Sequence, residues 1–309
     1  MTSTHITAGS NPRLGIILIL VATIVLSCMD ALTKILAAVF EPPQILVVRW
    51  AVFLMLALLM AARGGGIKRA MRSKRPVLQI ARALLLVVEI GVFIVAFGNL
   101  QLAEVHAIGA SAPLLITALS VPFLNEKVGI RRWLSVAVGF LGVVIILRPG
   151  FGMVNPHHLV TLGGVVLWSS YQIMTRMVGR EDSPETSMFY LGAVGFVVLI
   201  VVAPFFWRPP TAREWAMLAL AGALGAIGHF LIIKALSLAA ASTLQPFTFA
   251  SFVWAIVLGW LVFEALPDAA TVLGAGIIIA SGLYIFHREH YHRHRPLAET
   301  LADGLNKKK

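Results

Sequence analysis

From residue 14 to residue 287 the chain is one apolar run after another, broken only by short polar turns. Runs of 18 or more apolar residues are read as membrane-crossing helices, because a bilayer core needs about 20 residues at 1.5 Å rise each. Ten spans can be drawn, the fifth of them short: 14–38, 43–62, 76–98, 103–124, 132–147, 158–178, 184–206, 213–236, 241–263 and 269–287. The expected fold class is therefore all-α transmembrane. Composition agrees, with 59% hydrophobic and only 13% charged residues, where soluble domains are nearer a quarter charged. Residues 1–11 are polar and lack the basic start of a secretory signal, so the first span is expected to be retained. The one cysteine, Cys28, lies in an apolar run and leaves the redox compartment open.

A net charge of +11 could suggest nucleic acid, but its placement argues otherwise. With the N-terminus inside, Arg13, Arg63, Lys68, Arg69, Arg72, Lys74 and Arg75 fall inside, as do Lys127, Arg131, Arg132, Arg176, Arg180 and Lys234. The tail adds Arg288, Arg293, Arg295 and Lys307 to Lys309, so nineteen of the 25 Lys and Arg share one side. This is the bias that orients inner-membrane proteins, with both termini cytoplasmic. The basic face and tail suit contact with anionic lipid, and no nucleic-acid partner is expected.

A long internal repeat sets the architecture. Residues 103–147 hold an apolar helix with Pro113 midway, the turn Asn125-Glu126-Lys127, and a helix with Gly139 and Gly142. The plan returns with Pro246, Phe263-Glu264, and Gly274, Gly276 and Gly282. Asp30-Ala31-Leu32-Thr33-Lys34 in the first span is matched by Gln172-Ile173-Met174-Thr175-Arg176 in the sixth. Pro43-Gln44 at the start of the second span is matched by Pro184-Glu185 at the start of the seventh. Five spans therefore repeat, and an odd number forces the halves to face opposite ways. Inverted repeats build two gates around one midplane site in secondary carriers. The expected layout is a cytoplasmic segment 1–13, repeats at 14–148 and 157–287 around a central cavity, and a basic cytoplasmic tail 288–309.

These paired blocks resemble the EamA domains of the drug/metabolite transporter superfamily. The resemblance runs over about residues 14–286 and implies a ten-helix bundle whose cavity is lined mainly by spans 1, 3, 4, 6, 8 and 9. Glu264 departs from the pattern, being followed by Ala-Leu-Pro and no basic residue. Met29 to Lys34, Val47 to Trp50 and Arg82 to Leu86 also resemble a bacterial subgroup of S-adenosylmethionine and riboflavin uptake carriers.

Ionisable groups inside spans are costly, about 2.5–3.5 kcal/mol each, and turn toward the bundle interior. Asp30 and Arg49 both fall in the outer half of the membrane, where they could form a gate, a substrate clamp or a fixed structural pair. Lys34, one turn beyond Asp30, is expected to snorkel outward. Glu89 sits mid-span. An unpaired carboxylate there readily takes up a proton, which makes it the candidate coupling group, while pairing with Arg82 two turns earlier is the alternative. His229 follows Gly222, Gly225 and Gly228, a small-residue ridge that invites close packing. Ser111 and Gln245 stand beside the prolines that free backbone carbonyls, and are candidate polar contacts. Trp168, Tyr171, Gln172 and Phe247 suit a flat or amphipathic solute, although each could equally pack helices.

No nucleophile–base constellation stands out; Ser111 with His106 is the nearest approach. The histidines at 157–158 and in the tail lack zinc-site spacing, and no P-loop is present. No metal or cofactor is implied. The expected function is secondary active transport of a small organic metabolite, amino-acid-derived or nucleoside- or flavin-like, with protons as the candidate coupling ion. Export of amino acids or drugs, a passive channel or scramblase, and an intramembrane enzyme are the alternatives. A homodimer is a candidate assembly.

Overall fold

The computed structural model describes residues 11–63, 66–124, 128–148, 155–179, 181–239 and 241–285. Among these every regular element is helical. The helices are α1 (Pro12–Ala37), α2 (Pro42–Arg63), the short α3 (Ile67–Ala70), α4 (Pro76–Asn99), α5 (Leu102–Gly109), α6 (Ala112–Leu124), α7 (Ile130–Leu147) and α8 (Pro156–Val178). After them come α9 (Pro184–Val202), ending in a 3-10 turn at Ala203–Phe206, then α10 (Ala212–Leu238), α11 (Ala241–Thr248), α12 (Ala250–Phe263) and α13 (Ala269–Ile285). Among the described residues, eight segments are long and apolar enough to cross a membrane, with Leu102–Leu124 and Pro246–Phe263 each counted as one crossing. The 17-residue helix α13 is apolar but shorter. The 23-residue α8 is long enough, but His157, His158, Ser169, Ser170 and Gln172 make it more polar.

Local chemistry starts each helix where the chain turns. Asn11 and Asn155 each precede a proline and accept a backbone N–H, from Leu14 and His157 respectively. Ser183 caps α9 ahead of Pro184. Thr211 and Glu214 cap α10 reciprocally, and at α5 the Gln101 N–H donates to the Glu104 carboxylate. Fourth and ninth spans are both interrupted, at Ala110–Ser111 and at Phe249. The first break falls just before Pro113, which has no N–H to continue the ladder from the preceding turn, and the second falls three residues after Pro246.

The inverted repeat is visible in the packing. α1 packs most extensively on α10, and its repeat equivalent α8 packs on α4. α2 and α9, also equivalents, pack on each other. The glycines of the repeat meet: a methyl placed on Gly142 of α7 would come within 2.6 Å of the Gly274 carbonyl oxygen of α13. One on Gly274 would come within 2.5 Å of the Gly142 carbonyl. The glycine ridge on α10 is used as its spacing predicts. Gly222 takes Val52 and the backbone of Arg49, Gly225 takes Met29, and Gly228 takes Leu26.

Two large apolar clusters, with two smaller ones, form the core. One joins α1, α2, α4, α9 and α10 around Trp50, Leu86 and Leu218; the other joins α5 to α8, α12 and α13 around Ile108, Leu114 and Ile278. Trp168 of α8 packs against both. The outer surface is itself apolar, with Val77, Ile130, Phe205 and Leu261 exposed, as a lipid-facing wall requires. Contacts between turns join segments on one side of the bundle. Tyr190 donates to the Met71 carbonyl, and the turn at residues 73–75 meets that at 181–182, on the side carrying most of the basic residues. On the opposite side Gln44 meets Arg208, and Arg148 meets Asp268.

Candidate functional site

A buried column of ionisable side chains runs along the boundary between the two halves. Arg49, 6% exposed, projects from α2 toward the space left by Gly225 of α10, its Nη2 3.8 Å from where a Cβ would stand. Asp30 of α1 and Glu89 of α4, the latter 4% exposed, both lie within electrostatic range of this guanidinium and of each other. The second half adds Tyr171, within range of Glu89, and His229, within range of Arg49. The rings of Trp168 and Tyr171 stack at 5.5 Å, and His229 meets Phe53 edge-on at 5.2 Å. Asp30, Arg49, Glu89, Trp168, Tyr171 and His229 therefore form one neighbourhood.

The expected Asp30–Arg49 contact is longer-range than an ion pair. The close partner of Asp30 is His106 of α5, whose Nε2 lies 3.3 Å from Oδ2. His106 is the residue the sequence reading undervalued, treating it only as a partner for Ser111. The signal was available: an ionisable side chain within an apolar span. Ser111 does not meet it; the Ser111 hydroxyl donates to the Ile108 carbonyl at 2.6 Å and so satisfies the broken helix. Lys34 does not snorkel freely. Its Nζ donates to the carbonyls of Phe97 and Leu100 at 2.7 and 2.5 Å, where the end of α4 leaves carbonyls without helical partners.

Arg82, 2% exposed, belongs to a different construction and does not pair with Glu89. Its guanidinium donates to Gln79 Oε1 at 2.9 Å, to the Ser187 carbonyl at 2.8 Å and to Thr175 Oγ1 at 3.3 Å, and lies 5.5 Å from the Tyr171 ring. One head group thus ties α4, α8 and α9 together below the central column. Gln79 extends the tie by donating to Asp182 Oδ2 at 2.8 Å and to Ser187 Oγ at 3.1 Å. Asp182 also accepts from the Ser73 hydroxyl and from the Lys74 N–H. Burial alone would raise the Asp182 pKa, but these bonds outweigh it and hold the carboxyl below its ordinary value. Gln79, Thr175, Asp182 and Ser187 were not singled out in the sequence. Gln79 could have been, since it stands three residues before Arg82 on the same helical face.

Phe247 stands apart, packed with Ile19 and Leu244 in a small satellite cluster. Gln172 is half-buried on α8 beside Tyr171. The side chain of Gln245, the turn at Asn125 to Lys127, Arg180 and the tail beyond residue 285 lie outside the described residues. Two surface grooves occur at the ends of the bundle, one at the α1–α2 turn beside Gly98 and one between Arg69 and Glu185. Neither touches the column. Its members are enclosed by α1, α2, α4, α5, α8 and α10.

Comparison with known proteins bears on the fold and the family. The EamA-like transporter family matches twice, over residues 13–148 and 156–286. A riboflavin transporter of Vibrio cholerae is 32% identical over 71% of this chain and 74% of its own length. An S-adenosylmethionine uptake transporter of Rickettsia bellii is 31% identical, covering 72% of this chain and 76% of its own length. A pseudopaline exporter of Pseudomonas aeruginosa is 25% identical over 86% of this chain and 94% of its own length. A solved crystal structure shares the fold with a TM-score of 0.58, at 18% identity over 87% of this chain and 94% of that one. The chain is a multi-pass membrane transporter and belongs to the EamA-like transporter family.

Proposed function

We propose that the protein is a secondary active carrier, moving a small organic metabolite across the bacterial inner membrane by alternating access, with both termini cytoplasmic. The observation that carries this reading is the buried column Asp30–Arg49–Glu89, flanked by Trp168, Tyr171 and His229 from the other half. Charged side chains are expensive at this depth, and their place at the repeat boundary is where carriers of inverted-repeat design bind substrate. Gln172 and the helix breaks near Ser111 and Gln245 extend the polar lining, while Phe247 lies outside it in its own apolar cluster. Arg82 with Gln79 and Asp182 forms the gate on the basic side; Gln44, bonded to the Arg208 backbone at 2.6 and 2.9 Å, forms the opposite one. The substrate is amino-acid-derived or flavin-like. This is supported by the stacked Trp168–Tyr171 pair and by the names of the relatives. Glu89 exchanges the coupling proton, since its Oε2 is buried without a hydrogen-bond partner.

Counterflow in proteoliposomes tests the reading. Preloading with unlabelled S-adenosylmethionine or riboflavin is expected to accelerate entry of the same labelled compound. Entry that ignores the preload indicates a pore and refutes the carrier.

A further inference from the structure

We infer that the central site recognises a zwitterion, with Arg49 holding a carboxylate and Glu89, with Asp30 beside it, holding a positive centre. This rests on the column being the substrate site of the carrier proposed above. Three other arginines among the described residues have close partners, although Arg82 Nε itself has none. Arg82 has three hydrogen-bond partners, Arg75 is 2.5 Å from Glu181, and Arg148 bonds Asp268 directly. Arg49 and Glu89 are more than nine-tenths buried, yet among the described residues neither makes a hydrogen bond or an ion pair within 4.0 Å. Glu89 Oε2 is a buried oxygen without a partner. A structural ion pair repays its desolvation only when the partners close on one another with good geometry. This one stays open, within electrostatic range but out of contact.

Unclosed groups define their complement. The guanidinium offers a planar fork of donors that matches a carboxylate with two parallel bonds. In its ionised form Glu89 offers only acceptors, and so asks for a cation or a donor. Asp30 has His106 Nε2 3.3 Å away without a hydrogen bond between them, and is a second anion near the same centre. With all three side chains ionised the formal charge is −1, so a ligand with one carboxylate and two positive centres balances them, and one with a single positive centre does so when one of the acids holds a proton. A ligand without a carboxylate leaves Arg49 unmatched in the membrane interior. The site therefore discriminates by charge pattern, and the Trp168–Tyr171 stack accepts whatever flat body follows the charged head.

Binding to the purified full-length protein, read by tryptophan fluorescence, tests this. The probes are S-adenosylmethionine, its decarboxylated form, riboflavin and the proteinogenic amino acids. At least one carboxylate-bearing zwitterion is expected to bind more tightly than riboflavin. Loss of its carboxylate should weaken binding about a hundredfold, because the buried guanidinium is left unpaired. In Arg49→Gln the two forms should bind alike; if that variant does not fold, the wild-type comparison stands alone. Equal affinity with and without the carboxylate overturns the assignment, as does binding of riboflavin in preference to every zwitterion. Failure of all zwitterions to bind overturns it too. Riboflavin counterflow in the same preparation then shows whether carrier activity survives that result.

Discussion

Replacing Arg82 by Met removes the charge that ties α4, α8 and α9 while keeping an unbranched side chain of similar reach. Two of the three hydrogen bonds are short, at 2.8 and 2.9 Å, and each bond to a charged donor is worth about 1.5–3 kcal/mol. Their loss costs about 3–6 kcal/mol. The desolvation that Arg82 no longer suffers offsets part of it, leaving about 2–4 kcal/mol against the closed basic side. At 1.4 kcal/mol per tenfold, the inward-open population should rise about thirty- to several-hundredfold, until it saturates. The assay is labelling of a cysteine at Gln172, in a Cys28→Ser background, by an impermeant maleimide applied from the basic side. Gln172 lies one residue beyond Tyr171, on the column side of Thr175. A labelling rate within twofold of the parent, in protein that remains folded, would refute the view that Arg82 closes this side.

The other outcomes are as direct. Gly142→Ala and Gly274→Ala should each cost about 1–3 kcal/mol, since the added methyl meets a backbone carbonyl that no rotamer change can move. The double variant should cost less than the sum, because one separation of α7 and α13 serves both; strict additivity in thermal unfolding would contradict this. Asp182, with its pKa lowered below 3.8, contributes stability in full above that ordinary value and loses it as pH falls through the lowered one. The stability gap between wild type and Asp182→Asn should therefore hold from pH 7 to pH 5 and close only in stronger acid; a gap that shrinks already above pH 5 counts against the assignment. Glu89→Gln should abolish stimulation of uptake by a pH gradient while leaving counterflow measurable, and unchanged stimulation would remove Glu89 from the proton path.

The crossings, their inversion and the same-side pairing of turns were legible in the sequence because hydrophobic length, glycine spacing and charge placement act locally and repeat. The column was legible in part. Arg49, Glu89 and Asp30 stand out because an apolar span has no other use for charge. Which of them meet was not legible, since it depends on helix rotation and tilt. Asp30 turns to His106 on α5, and Arg82 turns to Ser187 and Thr175 on two helices about a hundred residues away in the chain. Lys34 shows the same limit from the other direction. Its depth suggested water, but the unpaired carbonyls at the end of α4 were nearer.

The mutual seating of Gly142 and Gly274 has an evolutionary corollary. Each half offers the other the same groove and the same carbonyl, so this seam does not depend on the peptide link at residues 148–155. Severing that link, as in a gene encoding the halves separately, leaves their mutual grip intact. Opposed insertion then becomes a burden on the translocation machinery, which must read two independent charge codes where one chain had supplied both.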